Sequence, residues 1–248
     1  MPGGSDAPSA TGSHSEPEPV TPSAGLGVLH LFCRLENGWR GEAVVDYVRR
    51  ATGRGTQVVP VAILGHKADV AFMALDADLW HLRLLQRDLA STGLVTVASY
   101  VSLTEVSEYA AGVPEELKQH RLHPQLPPPG KPAWCFYPMS KRRGEQHNWF
   151  TLPFEDRLEL MHEHGNSGRN FAGRVLQVVT GSTGIDDFEW GVTLFAARPD
   201  DLKDVVYTLR YDRASAIYAE FGPFYVGMVT PVEDLVALLA ESGGEGFP

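Results

Sequence analysis

From Leu26 onward, short apolar runs alternate along the chain with segments of helical spacing. Val28–Leu35 reads as a strand, and Gly41–Thr52 as a helix whose Val44, Val45 and Val48 recur between charged positions. Val58–Leu64 is a short apolar run bounded by Pro and Gly, and Asp69–Leu75 predicts a further strand. Leu79, Leu82, Leu85 and Leu89 line one face of a helix predicted over Asp78–Ser91, and Val95–Leu103 follows as a strand. Five prolines between Pro124 and Pro132 forbid regular structure there and mark a boundary. Beyond it, Cys135–Met139 and Val175–Thr180 read as extended. Phe154–His164 is helical, with Gly165 in the position of a helix stop. Glu189–Ala196 predicts a strand, Asp200–Phe221 largely helix, Phe224–Thr230 a last strand and Val232–Leu239 a short helix.

The second half repeats the order of the first. Val70–Leu79 (VAFMALDADL) aligns with Thr193–Leu202 (TLFAARPDDL) at a constant offset of 123 residues. In each case a helix and then a strand with a central tyrosine follow, Tyr100 and Tyr225. The expected fold class is α+β: two tandem ferredoxin-like units of the dimeric α+β barrel type, each an antiparallel sheet with helices on one face. Any two strand–helix–strand units share this order, so duplication is an expectation rather than a consequence. The units are expected at residues 26–123 and 133–248, joined by the proline-rich linker 124–132.

Residues 1–25 are almost all Pro, Gly, Ser, Ala and Thr, with Asp6, Glu16 and Glu18 as the only charges. Such a segment cannot bury enough apolar surface to offset its ordering entropy, so a disordered acidic tail is expected. The 248-residue chain is 43% hydrophobic and 21% charged, enough for a substantial core. Its 21 basic and 31 acidic side chains give a net charge of −10, which repels phosphate backbones and argues against nucleic-acid binding. Two cysteines, Cys33 and Cys135, exclude a disulfide framework, a four-Cys zinc site and covalent haem attachment through CxxCH. No apolar run approaches the roughly 20 residues that span a bilayer. No basic, then apolar, leader opens the chain. The expectation is therefore no membrane partner and a cytoplasmic location.

Candidate chemistry concentrates between Trp134 and Trp190. Tyr137-Pro-Met-Ser-Lys-Arg-Arg143 places a phenol on a strand followed by a basic turn; it can serve redox or anion chemistry, or be a core tyrosine beside a solvated loop. In Glu155–Gly165 (EDRLELMHEHG), Leu160 and Met161 share a helical face with His164, which points that imidazole toward apolar surroundings. His162 lies about 160° away around the helix. An inward neutral imidazole is either a satisfied core histidine or the proximal ligand of a five-coordinate haem iron, and periodicity does not choose between them. Gly181–Gly184 (GSTG) lacks the lysine and spacing of a phosphate loop. His120 and His123 with His162 and His164 lack metal-site spacing, there is no HExxH, and no GxSxG elbow occurs.

Taken together, Tyr137–Arg143, Asn148-Trp149, Met161-His-Glu-His-Gly165, Gly184-Ile-Asp-Asp-Phe-Glu-Trp-Gly-Val192 and Phe221-Gly-Pro-Phe-Tyr-Val-Gly227 resemble the coproheme decarboxylases of the chlorite-dismutase superfamily. The resemblance runs from about Leu26 to Val232. It implies a haem site in the C-terminal unit and a ring-shaped homopentamer. It also implies noncovalent binding of iron coproporphyrin III, which is both substrate and redox centre. With hydrogen peroxide, two of the four propionates leave as carbon dioxide, giving haem b. A transient contact with the upstream ferrochelatase follows from the same resemblance. So do the roles of single residues. His164 matches the proximal iron ligand, and Tyr137 the tyrosine whose radical takes a hydrogen atom from a propionate. Lys141 matches the lysine near the second propionate to react, and Gln177 the distal position. Arg210 and Ser215 match residues at the retained propionates, and Arg121 an upstream arginine facing them. Met139, Trp149 and Trp190 fall near the pocket. Chlorite dismutases carry a distal arginine where Gln177 stands, which argues against chlorite chemistry. His123 stands where Gln-type relatives carry tyrosine and is either a distal acid–base group or a pocket-edge residue. The alternatives to a decarboxylase are a chlorite dismutase-like haem enzyme and a noncatalytic haem-binding protein on the same fold.

Overall fold

The computed structural model describes residues 17–241. The chain forms β1 (Gly27–Leu35), α1 (Gly41–Gly53), β2 (Gln57–Leu64), β3 (Val70–Asp76), α2 (Leu79–Ala90) and β4 (Leu94–Thr104). After α3 (Glu115–Leu122) the order recurs as β5 (Ala133–Lys141), α4 (Phe154–Arg169), β6 (Val175–Gly181), β7 (Trp190–Ala196) and α5 (Pro199–Leu209). A short α6 (Arg213–Ala216) and β8 (Ala219–Phe221) precede β9 (Tyr225–Val229) and α7 (Val232–Glu241).

All strand pairs are antiparallel, in the order β7-β6-β4-β1-β3-β2-β9-β5-β8, and a further β7–β5 pairing closes the first eight into a barrel. Within it each half keeps the ferredoxin-like order, β4-β1-β3-β2 and β9-β5-β7-β6. The halves join at two seams. Four residue pairs connect β2 to β9, from Val61↔Val229 to Leu64↔Val226, while β4 meets β6 only at Leu103↔Gly181 and Thr104↔Thr180.

Alternation along the strands sends one set of side chains into the barrel and the other toward the helices. Phe32, Met73, Trp134, Phe136 and Phe195 fill the interior. Outside the first half, Val44, Val48 and Ala51 of α1 and Leu82, Leu85 and Leu89 of α2 pack on Leu31, Phe72 and Ala74. Outside the second, Leu202, Val205 and Leu209 of α5 pack on Cys135, Tyr137, Val192 and Leu194. Each fully buried apolar side chain stabilises the fold by about 1.5–3 kcal/mol relative to exposure.

Four expectations are corrected in detail. The 123-residue offset pairs Phe72 with Phe195, but Phe72 faces the helices and Phe195 the barrel interior. An odd shift reverses facing in a strand. Phe72 and Ala74 correspond instead to Leu194 and Ala196, and Leu82, Leu85 and Leu89 to Leu202, Val205 and Leu209, because two residues separate Ala196 from α5 whereas four separate Ala74 from α2. The expected unstructured tail is corrected from Val20 onward, since its N–H donates to Asp78 (3.0 Å) and its carbonyl accepts from Leu79 (2.9 Å); residues 1–16 lie outside the described residues. The helix predicted across Asp200–Phe221 breaks after Leu209, where Asp212 caps α6 by accepting from the Ser215 N–H. The helix expected to stop at Gly165 runs on to Arg169, because Gly165 is not in the left-handed region and nothing crowds it.

Candidate functional site

Pro153 precedes α4, and Glu155 and Asp156 complement the positive end of its dipole. Of its side chains only Leu160 is buried, and its main contacts are with α5 and α6 rather than with the strands. Leu160, His164 and Gly168 follow at four-residue spacing along one face. Leu160 packs with Trp149, Ala214 and Tyr218. At Gly168 a Cβ would meet nothing within 4 Å, so the face beyond His164 has room beside it.

His164 is 27% exposed, and its Nδ1 lies 3.1 Å from Oδ2 of Asp212, which is 1% exposed. Asp212 is fixed in turn because its Oδ1 accepts from the Ser215 N–H at 2.9 Å and its Oδ2 from the Ser215 hydroxyl at 3.2 Å. Burial pushes the Asp212 carboxyl up, but the hydrogen bond and charge of His164 with the two bonds from Ser215 outweigh it and hold the group below the usual carboxylate range. The carboxylate at Nδ1 makes that nitrogen the donor and fixes the ring's orientation, which leaves Nε2 as the nitrogen available to a ligand. No hydrogen bond engages Nε2 among the described residues. The imidazole is therefore set up as a ligand.

Lys141 ends β5 against the same cluster. Its ammonium donates to the Ala214 carbonyl at 2.7 Å and sits 4.3 Å from the centroid of the buried Trp149 ring. Burial brings the amine down to about 8, while Asp212 and Glu189 pull the other way. Glu189 is buried under the strand end, where Oε2 accepts the Lys141 N–H at 2.7 Å and Oε1 faces Arg143 at 3.4 Å.

Tyr137 lies two residues before Met139 on the helix-facing side of β5, stacked on Phe224 with centroids 4.5 Å apart and edge-on to Phe221 at 5.6 Å. Burial first, then Cys135, raises its phenol well above the ordinary range, with Arg210 opposing. The ring is therefore neutral, and among the described residues nothing hydrogen-bonds its hydroxyl. Arg210, the C-cap of α5, places its guanidinium 4.7 Å over Phe221.

The structure thus gathers His164, Ser215 and Lys141 around Asp212, with Trp149 beneath Lys141, and sets Tyr137 and Arg210 both against Phe221. Gln177 is exposed on β6, and its side chain makes no hydrogen bond among the described residues. Met139 pairs with Trp190, whose indole N–H donates to Glu105 at 3.1 Å. Arg121 and His123 stand exposed at the end of α3, and neither side chain makes a hydrogen bond or ion pair among the described residues. Asp212, Glu189 and Glu105 were missed from sequence. Asp212 alone carried a readable signal, Asp-x-x-Ser at a helix start. Among the described residues no three His, Cys, Asp or Glu side chains group as a metal site. One anchored imidazole without companions suits the fifth ligand of a macrocycle-held iron, not a bare cation.

Residues 40–230 match the family described as chlorite dismutase. A protein of Natronomonas pharaonis named for a proposed heme-binding role is 45% identical over 90% of this chain, which spans only 42% of that relative's length. The coproheme decarboxylase of Staphylococcus saprophyticus is 43% identical over 72% of this chain and 75% of its own. A structure of a heme-binding protein from Thermus thermophilus superposes with a TM-score of 0.79 at 35% identity, over 88% of this chain and 96% of that one. No helix among the described residues is long and apolar enough to cross a membrane.

Proposed function

The chain belongs to the chlorite dismutase family, and from that premise we propose that it is a coproheme decarboxylase. Iron coproporphyrin III is its substrate and hydrogen peroxide its oxidant. The observation that carries this reading is His164, with Nδ1 tied to a buried carboxylate, Nε2 unengaged, and open space at Gly168 on the same helical face. Relatives named as coproheme decarboxylases support it.

Bound on Nε2 of His164, the iron porphyrin supplies the reaction with peroxide. Each turnover removes one propionate as carbon dioxide, leaves a vinyl group, and reduces one peroxide to two waters with uptake of one proton. Asp212 orients the imidazole by accepting from its Nδ1, and Ser215 keeps Asp212 in place. Tyr137 is suited to hydrogen-atom exchange because burial holds its phenol protonated and no hydrogen bond restrains the O–H. Arg210 and Lys141 supply the charge that dry carboxylates require, since an unpaired buried carboxylate costs several kcal/mol. Lys141 meets a carboxylate by turning its ammonium from the Ala214 carbonyl.

Incubation with ferric coproporphyrin III and stepwise peroxide tests the proposal by product mass. Two successive losses of carbon dioxide plus two hydrogens are expected. Tyr137→Phe is expected to bind the porphyrin with an unchanged spectrum and to form no vinyl product. Tight porphyrin binding with no product from the unaltered chain would leave a haem carrier in its place. Rapid oxygen release from chlorite would point to dismutation instead.

A further inference from the structure

On the flank of α5 opened toward β9, a cavity of about 320 Å³ is walled by Leu202, Val206, Phe224 and Val226. This is at the small end of the roughly 300–1,000 Å³ usual for ligand pockets. Its lining is apolar, yet Lys203 and Arg210 border it, and the Lys67 ammonium donates to the carbonyl of the wall residue Phe224. None of these three cations has a carboxylate partner among the described residues. The two acids in the first turn of α5 are taken: Asp200 pairs with Arg198 at 3.3 Å, and Asp201 with Arg174 at 2.8 Å. In a chain of net charge −10, three unpaired cations around one apolar hollow are a local inversion of the surface.

We propose that this cavity is a second ligand site, for a small anionic amphiphile: an alkyl or aryl carboxylate whose apolar body fills the space between α5 and β9. Its head is held by Lys203 and Lys67, with Arg210 at the border. The shape follows the chemistry of the walls. An apolar ligand without charge leaves the three cations unpaired, and an anion without an apolar body leaves Leu202, Val206 and Val226 facing water. Val226 and Met228, 39% and 41% exposed, continue the apolar surface along β9, Val226 opposite Leu64 and Met228 opposite Ala62 of β2, so the body has room to run along the seam. The site needs nothing from His164, and Lys67 and Lys203 belong to it alone, whereas Arg210 borders both it and the proposed porphyrin site.

Calorimetric titration of the full chain with octanoate, beside 1-octanol, tests the proposal. Octanoate is expected to bind saturably and at least about tenfold tighter than octanol, the loss expected when charge-assisted bonds are absent. Lys67→Glu with Lys203→Glu is expected to weaken octanoate by about tenfold or more, and Val226→Trp to abolish binding by filling the space. Coproheme uptake is expected to be unchanged in both variants, which separates this site from the porphyrin site. Equal affinity for octanoate and octanol, or unaltered octanoate binding in the double lysine variant, would overturn the proposal. Amide protection of Val226 and Met228 that falls on dilution would also overturn it, because a second copy of the chain would then cover the cavity. The lysine changes are on the surface, so the test survives even if Val226→Trp does not fold.

Discussion

α1 and α4 occupy corresponding places in the two halves of the barrel, yet α1 buries Val44, Val48 and Ala51 while α4 buries only Leu160. In the N-terminal half, both helices and the outward strand faces share a single apolar cluster. In the C-terminal half the contacts divide. The strands pack with α5, and α4 packs separately with Trp149, Ala214 and Tyr218. Asp212, His164 and Lys141 stand at that division. One topology thus serves two ends: where the helix is laid on the sheet the half is a stabilising block, and where the helix is held away from it a site opens.

Three measurements would sharpen or break this contrast. The largest effect is expected from Leu85→Ala in the closed half. It should cost about 2–5 kcal/mol in denaturant unfolding, whereas Gln177→Ala on the open half should stay within about 0.5 kcal/mol. Similar costs at both sites would mean that the second half is packed as tightly as the first.

The barrel interior, shared by both halves, gives the next effect. His30 on β1 reaches across to Thr193 on β7 at 3.0 Å, and burial pulls its imidazole from 6.5 down to about 3. Between those values the unfolded chain holds a proton that the folded chain does not. The stability tied to His30 is therefore complete above pH 6.5 and declines as pH falls, by about 1.4 kcal/mol per pH unit. Urea unfolding at pH 7 and pH 5 should differ by about 2 kcal/mol from this group, and His30→Gln should flatten the difference. An unaltered slope in that variant would place the acid sensitivity elsewhere.

The smallest effect is expected at Gly168. With free space around its Cβ position, Gly168→Ala should stabilise the porphyrin-free chain by about 0.5–1 kcal/mol, the helical preference of alanine over glycine. If α4 is held off for a ligand, the same change should weaken coproheme uptake. Improvement of both properties would mean that the space serves nothing.

Much of the closed half was legible in sequence because burial there imposes a period. Leu82, Leu85 and Leu89 recur on one side of α2, and all three are buried. The open half was less legible for the same reason. α3 buries no side chain, so it writes no apolar pattern and was not foreseen. The interruption between α5 and α6 lies in polar Arg210-Tyr211-Asp212, where a capping carboxylate rather than a change of hydrophobicity ends one helix and starts another. The inward tendency of His164 could be read from Leu160 and Met161, but its tie to Asp212, 48 residues away, could not. Long-range polar pairing leaves no periodic trace. Arg121 and His123 show the converse, since motif position alone suggested them; both side chains are exposed, Arg121 in the last turn of α3 and His123 just past it.

The unequal stitching of the barrel carries a mechanical consequence. The β2–β9 join rests on four residue pairs, whereas β4–β6 has two and is held besides by side chains, Thr180 donating to Ser102 at 2.8 Å and the Val101 N–H to Asp186 at 2.8 Å, so the halves cannot part there without breaking side-chain bonds as well as the ladder. Glu105, one residue past the end of that fastening, grips the indole of Trp190, so any parting of β4 from β6 tugs on the rim beside Met139.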